Sequence, residues 1–544
     1  MTAVWTMRVA GRRERAGLAR NAARRFATRT QGPGASPVQT LGKARRPGNV
    51  APASSFAAAA TKAHAVANPT LRLDTMNEHL RKMEYAVRGE VPIAAGKIQK
   101  ELSQGSKKYP FDKVLLCNIG NPQAVGTPPI TFYRQVLALV DSPSLLAPEH
   151  RENLSKLFTE AEIERAEELV ANMPGGSGAY TDSQGTELVR KNVAQFIEDR
   201  DGYPCDPDNI FLTNGASSGI QMLLTALIAD PSHAILTPVP QYPIYSALIA
   251  LFNGQAEGYY LDESKQWALT TEELNRTYED SVAKGNEPRA MVLINPGNPT
   301  GSVLSYDDLC NVVRFCYKNK LVLLADEVYQ ENIYTEDRPF ISVKSVVEDL
   351  GLPIELASFH STSKGFIGEC GRRGGYMELC NFDEDVHAQI VKLASSGLCS
   401  NTDGQVMTDL MVRPPAPGPS RDAFFNERDA ILGSMQKKAL MMERFLNDIP
   451  GVSCQPLSGA MYAFPSIELP AEFVENARRE GKAPDTAYAL SLLRNTGICA
   501  VPGSGFNQVD GTFHLRLTIL PDEESLENAM HRFREHHLEL TKQN

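Results

Sequence analysis

Residues 355–379 read ELASFHSTSKGFIGECGRRGGYMEL, and this stretch decides the fold. Two short apolar runs, Glu355–His360 and Gly374–Leu379, flank a loop with hydroxyl side chains, one lysine and two adjacent arginines. Short apolar or β-branched runs that are closed by turn residues are typical of buried β-strands. The loop is therefore predicted to lie at the end of a strand, where the ligands of α/β sheets bind.

Five runs of the same type precede this stretch. They are Asn209–Thr213, His233–Pro238, Gly258–Leu261, Met291–Asn295 and Leu321–Ala325. Helical patterns separate several of them, for example Ser217–Ile228 and Tyr306–Asn319. Strands that alternate with helices predict an α/β fold with a mainly parallel sheet covered by helices on both faces.

The pattern changes after the proline-rich stretch at residues 414–419, where a long helix, roughly Asp422–Asn447, and then a mixed tail follow. We therefore expect a smaller α+β domain beside the large α/β domain. The expected divisions are 67–135 for the N-terminal part of the small domain, 136–420 for the large domain and 421–544 for the C-terminal small domain.

The formal charge of −10 conceals an uneven distribution. Residues 1–73 carry thirteen basic residues and one acid, Glu14, which gives +12, so the remaining 471 residues carry −22. A body this acidic repels nucleic acid, so we expect no nucleic-acid partner. No run approaches the roughly 18 apolar residues of a membrane span, so we expect no membrane partner either.

Residues 1–30 are rich in Arg and Ala, contain several hydroxyl groups and lack the continuous apolar core of a secretory signal. This composition is typical of an organelle transit peptide, and Arg24–Ala27 resembles a mitochondrial processing site. A linker of Gly, Pro, Ala and Ser follows, so 1–66 is predicted to be transit peptide and linker. We expect delivery to the mitochondrial matrix, with the plastid as the alternative. A basic arm that binds anions nonspecifically is the other interpretation.

Three further polar motifs follow apolar runs. Thr213–Gly219 lies between a strand and a helix, Asn295–Gly301 reads NPGNPTG, and Ala325–Tyr329 reads ADEVY. The carboxyl ends of parallel strands meet at one edge of a sheet. We therefore expect these motifs to lie beside the loop at 361–373.

In this order along the chain, the motifs and the Ser361–Lys364 stretch resemble those of the fold-type I aminotransferases, which use pyridoxal 5'-phosphate (PLP). The resemblance covers roughly residues 71–544. Three longer strings are similar to the alanine-type members of that family: 178–185, 241–245 and 364–376. The resemblance implies amino-group exchange between alanine and 2-oxoglutarate, in a ping-pong reaction through pyridoxamine phosphate.

Four alternatives remain open. A glutamate:glyoxylate or other broad-range aminotransferase shares the same motifs, and so does a PLP-dependent lyase such as a C–S lyase. A PLP-binding regulator fused to a DNA-binding module is disfavoured because the N-terminal segment lacks a helix-turn-helix pattern. A dinucleotide-binding dehydrogenase is disfavoured because no G-x-G-x-x-G follows the first strand.

The resemblance assigns cofactor roles to five residues. Lys364 is expected to form a Schiff base with the PLP aldehyde and, once displaced by substrate, to move a proton. Asp326 is expected to keep the pyridine nitrogen protonated. Tyr329 and Asn298 are expected to donate to the phenolate oxygen, and Tyr242 to stack on the ring.

The cofactor phosphate needs backbone amides, hydroxyl groups and a cation. The expected donors are Gly215, Ala216, Ser217, Ser361, Ser363 and Arg373, with Ser361 favoured over Ser363. The resemblance to the alanine-type members, which place this arginine nine residues after the lysine, implies Arg373, and the two glycines that follow fit that register. Arg372 is expected to be exposed or paired with an acid.

Three residues are assigned to substrate and partner by the same resemblance. Arg516, the one cation in an apolar strand, is expected to bind the substrate α-carboxylate, and the backbone of Gly120 to approach the substrate. Tyr180 is expected to reach the PLP phosphate of a second subunit, which implies a homodimer. The expected small-molecule partners are amino acids and 2-oxo acids, and no metal is expected.

Overall fold

The computed structural model describes residues 70–85 and 89–542. The predicted transit peptide and linker, residues 1–66, lie outside the described residues. Within the described part, no helix is both long and apolar enough to cross a membrane.

Seventeen α-helices lie in the described residues. They are α1 (Glu78–Lys82), α2 (Glu90–Ser103), α3 (Thr131–Asp141), α4 (Arg151–Leu154), α5 (Glu160–Ala171), α6 (Glu187–Asp201), α7 (Ala216–Leu227), α8 (Ile244–Leu251), α9 (Thr271–Ala283), α10 (Tyr306–Asn319), α11 (Val343–Leu350), α12 (Glu384–Ser395), α13 (Thr402–Val412), α14 (Pro419–Asn447), α15 (Ala471–Arg479), α16 (Pro484–Thr496) and α17 (Glu523–Lys542).

Fourteen β-strands lie in the same part of the chain. They are β1 (Leu115–Leu116), β2 (Ile210–Leu212), β3 (His233–Val239), β4 (Gln255–Tyr260), β5 (Glu287–Ile294), β6 (Val322–Asp326), β7 (Leu356–Ser361), β8 (Gly375–Cys380), β9 (Val452–Ser453), β10 (Tyr462–Ala463), β11 (Ser466–Ile467), β12 (Ile498–Cys499), β13 (Val501–Pro502) and β14 (Leu515–Thr518).

A seven-stranded sheet forms the centre of the fold, in the order β2-β8-β7-β6-β5-β3-β4. Strands β3 to β7 run parallel to one another, whereas β8 is antiparallel to both of its neighbours, β7 and β2. The predicted α/β class with a mainly parallel sheet is confirmed. All seven predicted strands are present.

Two strands begin three or four residues earlier than predicted. β4 begins at Gln255 and β5 at Glu287, and both starts are polar. Glu257 of β4 accepts hydrogen bonds from Lys284 (2.7 Å) and Asn286 (2.8 Å), which satisfy its carboxylate beside the sheet. Pairing with β3 extends both strands beyond the apolar residues that the sequence pattern could detect.

The helix predicted at Tyr306–Asn319 has those bounds in the structure. Ser305 and Asp308 form a capping box at its first turn, which satisfies amides that the helix leaves without partners. Its buried face carries Leu309, Val312 and Val313 at helical spacing, packed under the central sheet.

The N-terminal and C-terminal parts of the chain share a two-stranded sheet, and the C-terminal part forms a separate three-stranded sheet. β1 pairs parallel with β12, and β14 lies between β10 and β13. α14 begins at Pro419, near the predicted boundary at 420, whereas α3 runs through the predicted boundary at 135. The division into a large and a small domain stays a prediction.

Candidate active site

Lys364 lies in the loop that follows β7, at the carboxyl edge of the central sheet. Its Nζ donates a hydrogen bond to the carbonyl oxygen of Gly120 at 2.7 Å. The loop is fixed by Asn332, whose Oδ1 accepts a hydrogen bond from the amide of Gly365 at 3.0 Å. The structure thus brings together Lys364 and Gly120, which the sequence assigned to one site from distant positions.

Asp326 is the last residue of β6 and is buried, with 4% of its surface exposed. Tyr245 donates a hydrogen bond to its Oδ2 at 3.0 Å, while Oδ1 has no hydrogen-bond partner among the residues that the structure describes. Burial raises the pKa of the Asp326 carboxyl to about 6, although the bonds from Tyr245 and the Val328 amide and the charge of Lys364 oppose the shift. The free oxygen is available to a cationic or N–H group.

Arg373 lies against the first residues of α7. Its Nη2 donates to the carbonyl oxygen of Asn214 (2.7 Å) and approaches Ser217 Oγ (3.4 Å), and its Nη1 approaches Ser363 Oγ (3.4 Å). Gly215 has φ +74°, which favours glycine, and a Cβ there would lie 2.6 Å from Nη2 and would displace the end of the Arg373 side chain. A guanidinium, two hydroxyl groups and the amides of a helix start therefore converge, as a phosphate requires.

The remaining members of this group occupy different surroundings. Ala216 is the first residue of α7. Ser361 Oγ accepts from the amide of Ser363 (3.1 Å) and donates to the carbonyl of Gly374 (3.3 Å), so of the two serines it is Ser363 that contacts Arg373. Arg372 pairs with Asp403 at 3.0 Å, which confirms the predicted pairing with an acid.

Arg516 is 2% exposed, and its guanidinium lies between two aromatic rings. Its Cζ is 4.2 Å from the ring centroid of Tyr462 and 4.8 Å from that of Phe506. It donates to Asn298 Oδ1 (3.1 Å) and to the carbonyl of Asn118 (2.8 Å). No ion pair joins it to an acid among the described residues. Since a buried charge without a counter-ion is costly, the site fits an anionic ligand.

Three predicted tyrosines lie in distinct places. Tyr329 is buried, and its hydroxyl donates to that of Tyr462 at 3.2 Å. Tyr242 is half-buried, and its hydroxyl shares a hydrogen bond of 2.8 Å with Tyr85. Tyr180 is 77% exposed and makes no contact with Lys364, Asp326 or Arg373 within the described chain.

Sequence reasoning missed three tyrosines that contact the predicted site: Tyr85, Tyr245 and Tyr462. Tyr245 belongs to the string 241–245, so the sequence marked its position but could not show its hydrogen bond to Asp326. Tyr85 and Tyr462 belong to no motif, and no local pattern marks either of them.

Residues 149–533 match the family model described as aminotransferase class I and II. The chain belongs to that family. The match covers the strand-end loops and Arg516.

Relatives of this aminotransferase span nearly its whole length. It is 50% identical over 477 residues to a protein of Dictyostelium discoideum named probable alanine aminotransferase, mitochondrial, covering 86% of this chain and 89% of the relative. It is 47% identical to glutamate–glyoxylate aminotransferase 1 of Arabidopsis thaliana, covering 85% and 95%. In fold it is similar to the alanine aminotransferase of Pyrococcus furiosus, with a TM-score of 0.66, 24% identity and coverage of 85% and 100%.

The protein is a PLP-dependent transaminase, and its residues fit that cofactor. The unpartnered Oδ1 of Asp326 suits a protonated ring nitrogen, and the group around Arg373 and Gly215 suits a phosphate. The amine of Lys364 suits an aldehyde carbon. No cluster of His, Cys, Asp and Glu that could hold a metal ion is present in the part of the chain that the structure describes.

Proposed function

We propose that this transaminase is an alanine:2-oxoglutarate aminotransferase, which converts L-alanine and 2-oxoglutarate to pyruvate and L-glutamate. The observation that carries the proposal is the chain of contacts that joins Lys364, Gly120, Tyr462 and Arg516. An amine that can exchange with an α-amino group lies there near a buried guanidinium without an acid partner in the described chain. The name and 86% coverage of the Dictyostelium relative support alanine as the substrate.

The cofactor is held, in this proposal, by groups from several strand-end loops. Gly215, Ala216, Ser217, Ser361, Ser363 and Arg373 bind its phosphate. Asp326 faces its ring nitrogen through Oδ1, and the hydroxyl of Tyr245 fixes the other oxygen. Tyr242 lies on the ring face. Tyr329 and the amide nitrogen of Asn298 would donate to its phenolate oxygen, since the amide oxygen of Asn298 is engaged by Arg516. The single hydroxyl hydrogen of Tyr329, which is directed at Tyr462 in the structure, would then turn to the cofactor and leave the Tyr329 oxygen to accept from Tyr462.

When bound, PLP supplies an electron sink that stabilises the negative charge developed on the substrate α-carbon. Lys364 Nζ takes the proton from that carbon and returns a proton on the cofactor side. The carbonyl of Gly120 fixes the direction of this amine at 2.7 Å. Asp326, as a carboxylate, holds the proton on the ring nitrogen, which keeps the sink effective.

Arg516 orients the substrate by two parallel N–H donors to the α-carboxylate. Burial of the guanidinium between Tyr462 and Phe506 excludes water from the ion pair, which strengthens it. Alanine, glutamate and both 2-oxo acids carry the same carboxylate, so one arginine serves both half-reactions.

We also propose a homodimer and mitochondrial delivery. Tyr180 is exposed in a single chain, which leaves its hydroxyl available to the PLP phosphate of a second subunit. The basic segment 1–66 is proposed to direct import into the matrix, and the word mitochondrial in the name of the Dictyostelium relative supports this.

Half-reactions with single substrates test the function. Alanine and glutamate should each convert the bound PLP to pyridoxamine phosphate, followed by absorbance, and pyruvate and 2-oxoglutarate should reverse it. Aspartate and leucine serve as comparison substrates, and each should react at least about tenfold more slowly. Failure of alanine and glutamate to convert the cofactor, together with release of pyruvate, ammonia and a thiol from a cysteine S-conjugate, would show a C–S lyase and contradict the proposal.

A glutamate:glyoxylate aminotransferase is the second candidate, because a relative of that name is 47% identical over 85% of this chain. Assays of one enzyme preparation with each 2-oxo acid distinguish the two candidates. A kcat/KM for glyoxylate above those for pyruvate and 2-oxoglutarate would favour this candidate over the first.

A further inference from the structure

Tyr462 is a buried residue near the reacting groups that no motif predicted. It is the first residue of β10, which pairs antiparallel with β14 in the register Tyr462↔Thr518. Arg516 lies two residues before Thr518, so both side chains are on the same face of the sheet as diagonal neighbours. This register places the phenol ring beside the guanidinium.

The cationic carbon Cζ of Arg516 lies over the ring of Tyr462, 4.2 Å from the ring centroid, and over the ring of Phe506 at 4.8 Å. Two rings packed against one guanidinium restrict the directions in which its N–H groups can point. The face contact also contributes attraction between the cation and the ring. Tyr462 thus fixes the plane in which Arg516 can meet a carboxylate.

The hydroxyl of Tyr462 lies close to the amine of Lys364, and both are near Gly120. It accepts the hydrogen bond of Tyr329 at 3.2 Å. A Cβ built on Gly120 would overlap this hydroxyl and lie 2.9 Å from Lys364 Nζ. Gly120 is therefore the residue that leaves room for the hydroxyl.

The electrostatics of the pair agree with this geometry. Burial raises the pKa of Tyr462, but the charges of Lys364 and Arg516 and the bond from Tyr329 outweigh it and lower the pKa. The pKa of Tyr329 is raised by burial and by Tyr462. These directions agree with the hydrogen bond in which Tyr329 donates and Tyr462 accepts.

We propose that Tyr462 is a positioning residue for transamination: its ring orients Arg516, and its hydroxyl orients the phenol of Tyr329 in the space that Gly120 leaves open. The proposal rests on the transaminase reaction and not on the choice of alanine. It holds equally if glyoxylate proves to be the preferred acceptor.

Two substitutions separate the ring from the hydroxyl. Tyr462→Phe keeps the ring, so the inhibition constant of propionate, which has a carboxylate but no amine, should change less than roughly threefold. The same variant should shift the pH titration of the bound cofactor's visible absorbance by about 0.5–1 unit and lower kcat roughly 3- to 10-fold. Tyr462→Leu removes the ring, and propionate should bind roughly 3- to 30-fold more weakly.

Tyr334→Phe is the matched control. Tyr334 is also a buried tyrosine, and its hydroxyl bonds the carbonyl of Ala460, two residues before Tyr462. Its substitution should lower the thermal midpoint without moving the titration or the propionate constant. If Tyr462→Phe behaves like this control, the role is structural and the proposal is overturned.

A double variant tests the shared space. Gly120→Ala alone should lower kcat/KM by roughly a hundredfold, since the new methyl displaces the hydroxyl and the amine. Gly120→Ala with Tyr462→Phe should recover about tenfold, and recovery stays partial because the ring carbon Cζ lies 3.0 Å from the point that the alanine Cβ would occupy. If the fold-losses in kcat/KM of the two single variants multiply to give the loss of the double variant, the two sites are independent and the proposal is contradicted.

Discussion

Tyr245 donates a hydrogen bond to one carboxylate oxygen of Asp326 at 3.0 Å, and the other oxygen is buried without a partner in the described part of the chain. The sequence gap between the two residues is long, and the contact crosses from α8 to the end of β6. In the proposed cofactor site, the tyrosine leaves one oxygen of Asp326 free for the ring nitrogen. The carboxylate would then be held in place at a cost in solvation that the ring nitrogen would offset.

Asp326→Asn should stabilise enzyme freed of PLP and weaken PLP binding. The folded-state pKa of about 6 lies above the usual 3.8, so the folded protein binds the extra proton between these values. Stability therefore falls as pH rises from about 4 to 6, by up to about 3 kcal/mol above pH 6.

The measurement is the thermal midpoint of the cofactor-free variant minus that of the cofactor-free wild type, taken from about pH 4 to 8. The difference should be positive at the alkaline end and shrink towards the acidic end. PLP affinity, measured by fluorescence quenching, should fall at least about tenfold. A difference that grows as pH falls would contradict the assigned pKa.

Local pattern was sufficient to predict the sheet and the main polar motifs. The strands that end at Asp326 and Ser361 are short apolar runs closed by turn residues, and a buried parallel strand needs nothing else to be detected. Lys364 lies three residues after β7, and Arg373 lies two residues before β8. Their convergence then follows from the topology of a parallel sheet.

The contacts that complete the site depend on packing between distant segments. β10 has two residues, too few for an alternating pattern, so Tyr462 could not be placed diagonally beside Arg516 from sequence. Tyr85 precedes α2 in a segment with no strong apolar period, and its bond to Tyr242 spans 157 positions. Such pairings are decided by tertiary structure alone.

Lys364→Ala should abolish transamination while the protein still binds PLP noncovalently. The groups around Arg373 and Asp326 do not depend on the lysine. Borohydride treatment should attach the cofactor to the wild type, detected by intact mass, and leave the variant unmodified. Lys191→Ala, at an exposed lysine paired with Glu187, is the control and should behave as wild type. Turnover by Lys364→Ala would refute the assignment.

Deletion of residues 1–66 should leave folding and catalysis intact and abolish import. The segment carries most of the basic charge of the chain's N-terminus and contains no predicted strand or helix of the body. Fluorescent fusions of the full chain and of 67–544 should locate to mitochondria and cytosol, respectively. Plastid location of the full chain would support the alternative, and loss of activity in the purified 67–544 protein would argue against a transit peptide.

Tyr85→Phe should weaken PLP binding modestly. The hydroxyl pair of Tyr85 and Tyr242 is 2.8 Å apart, and the ring centroids lie 6.5 Å apart edge to face. Loss of one such bond corresponds to about 0.5–1.5 kcal/mol, or roughly 2- to 12-fold in the dissociation constant of PLP. Tyr109→Phe, which loses a bond to Glu101, is the control and should not change it.

Arg516→Lys should damage substrate use far more than cofactor binding. An ammonium offers no pair of parallel N–H donors to a carboxylate. It also lacks the planar guanidinium that packs against the rings of Tyr462 and Phe506, so both interactions are lost. A loss of about 3 kcal/mol corresponds to roughly a hundredfold in kcat/KM. Both half-reactions should suffer alike, because every substrate presents its α-carboxylate to the same group.

The competing interpretation makes Arg516 a structural cation of β14. It predicts a lower thermal midpoint with near-normal kcat/KM for the folded fraction. The geometry disfavours it, because the guanidinium is bonded to an amide oxygen and a carbonyl and pairs with no acid in the described chain. Measuring the midpoint, PLP affinity and both half-reactions on one variant decides between them, since normal half-reaction rates are incompatible with a carboxylate-binding role.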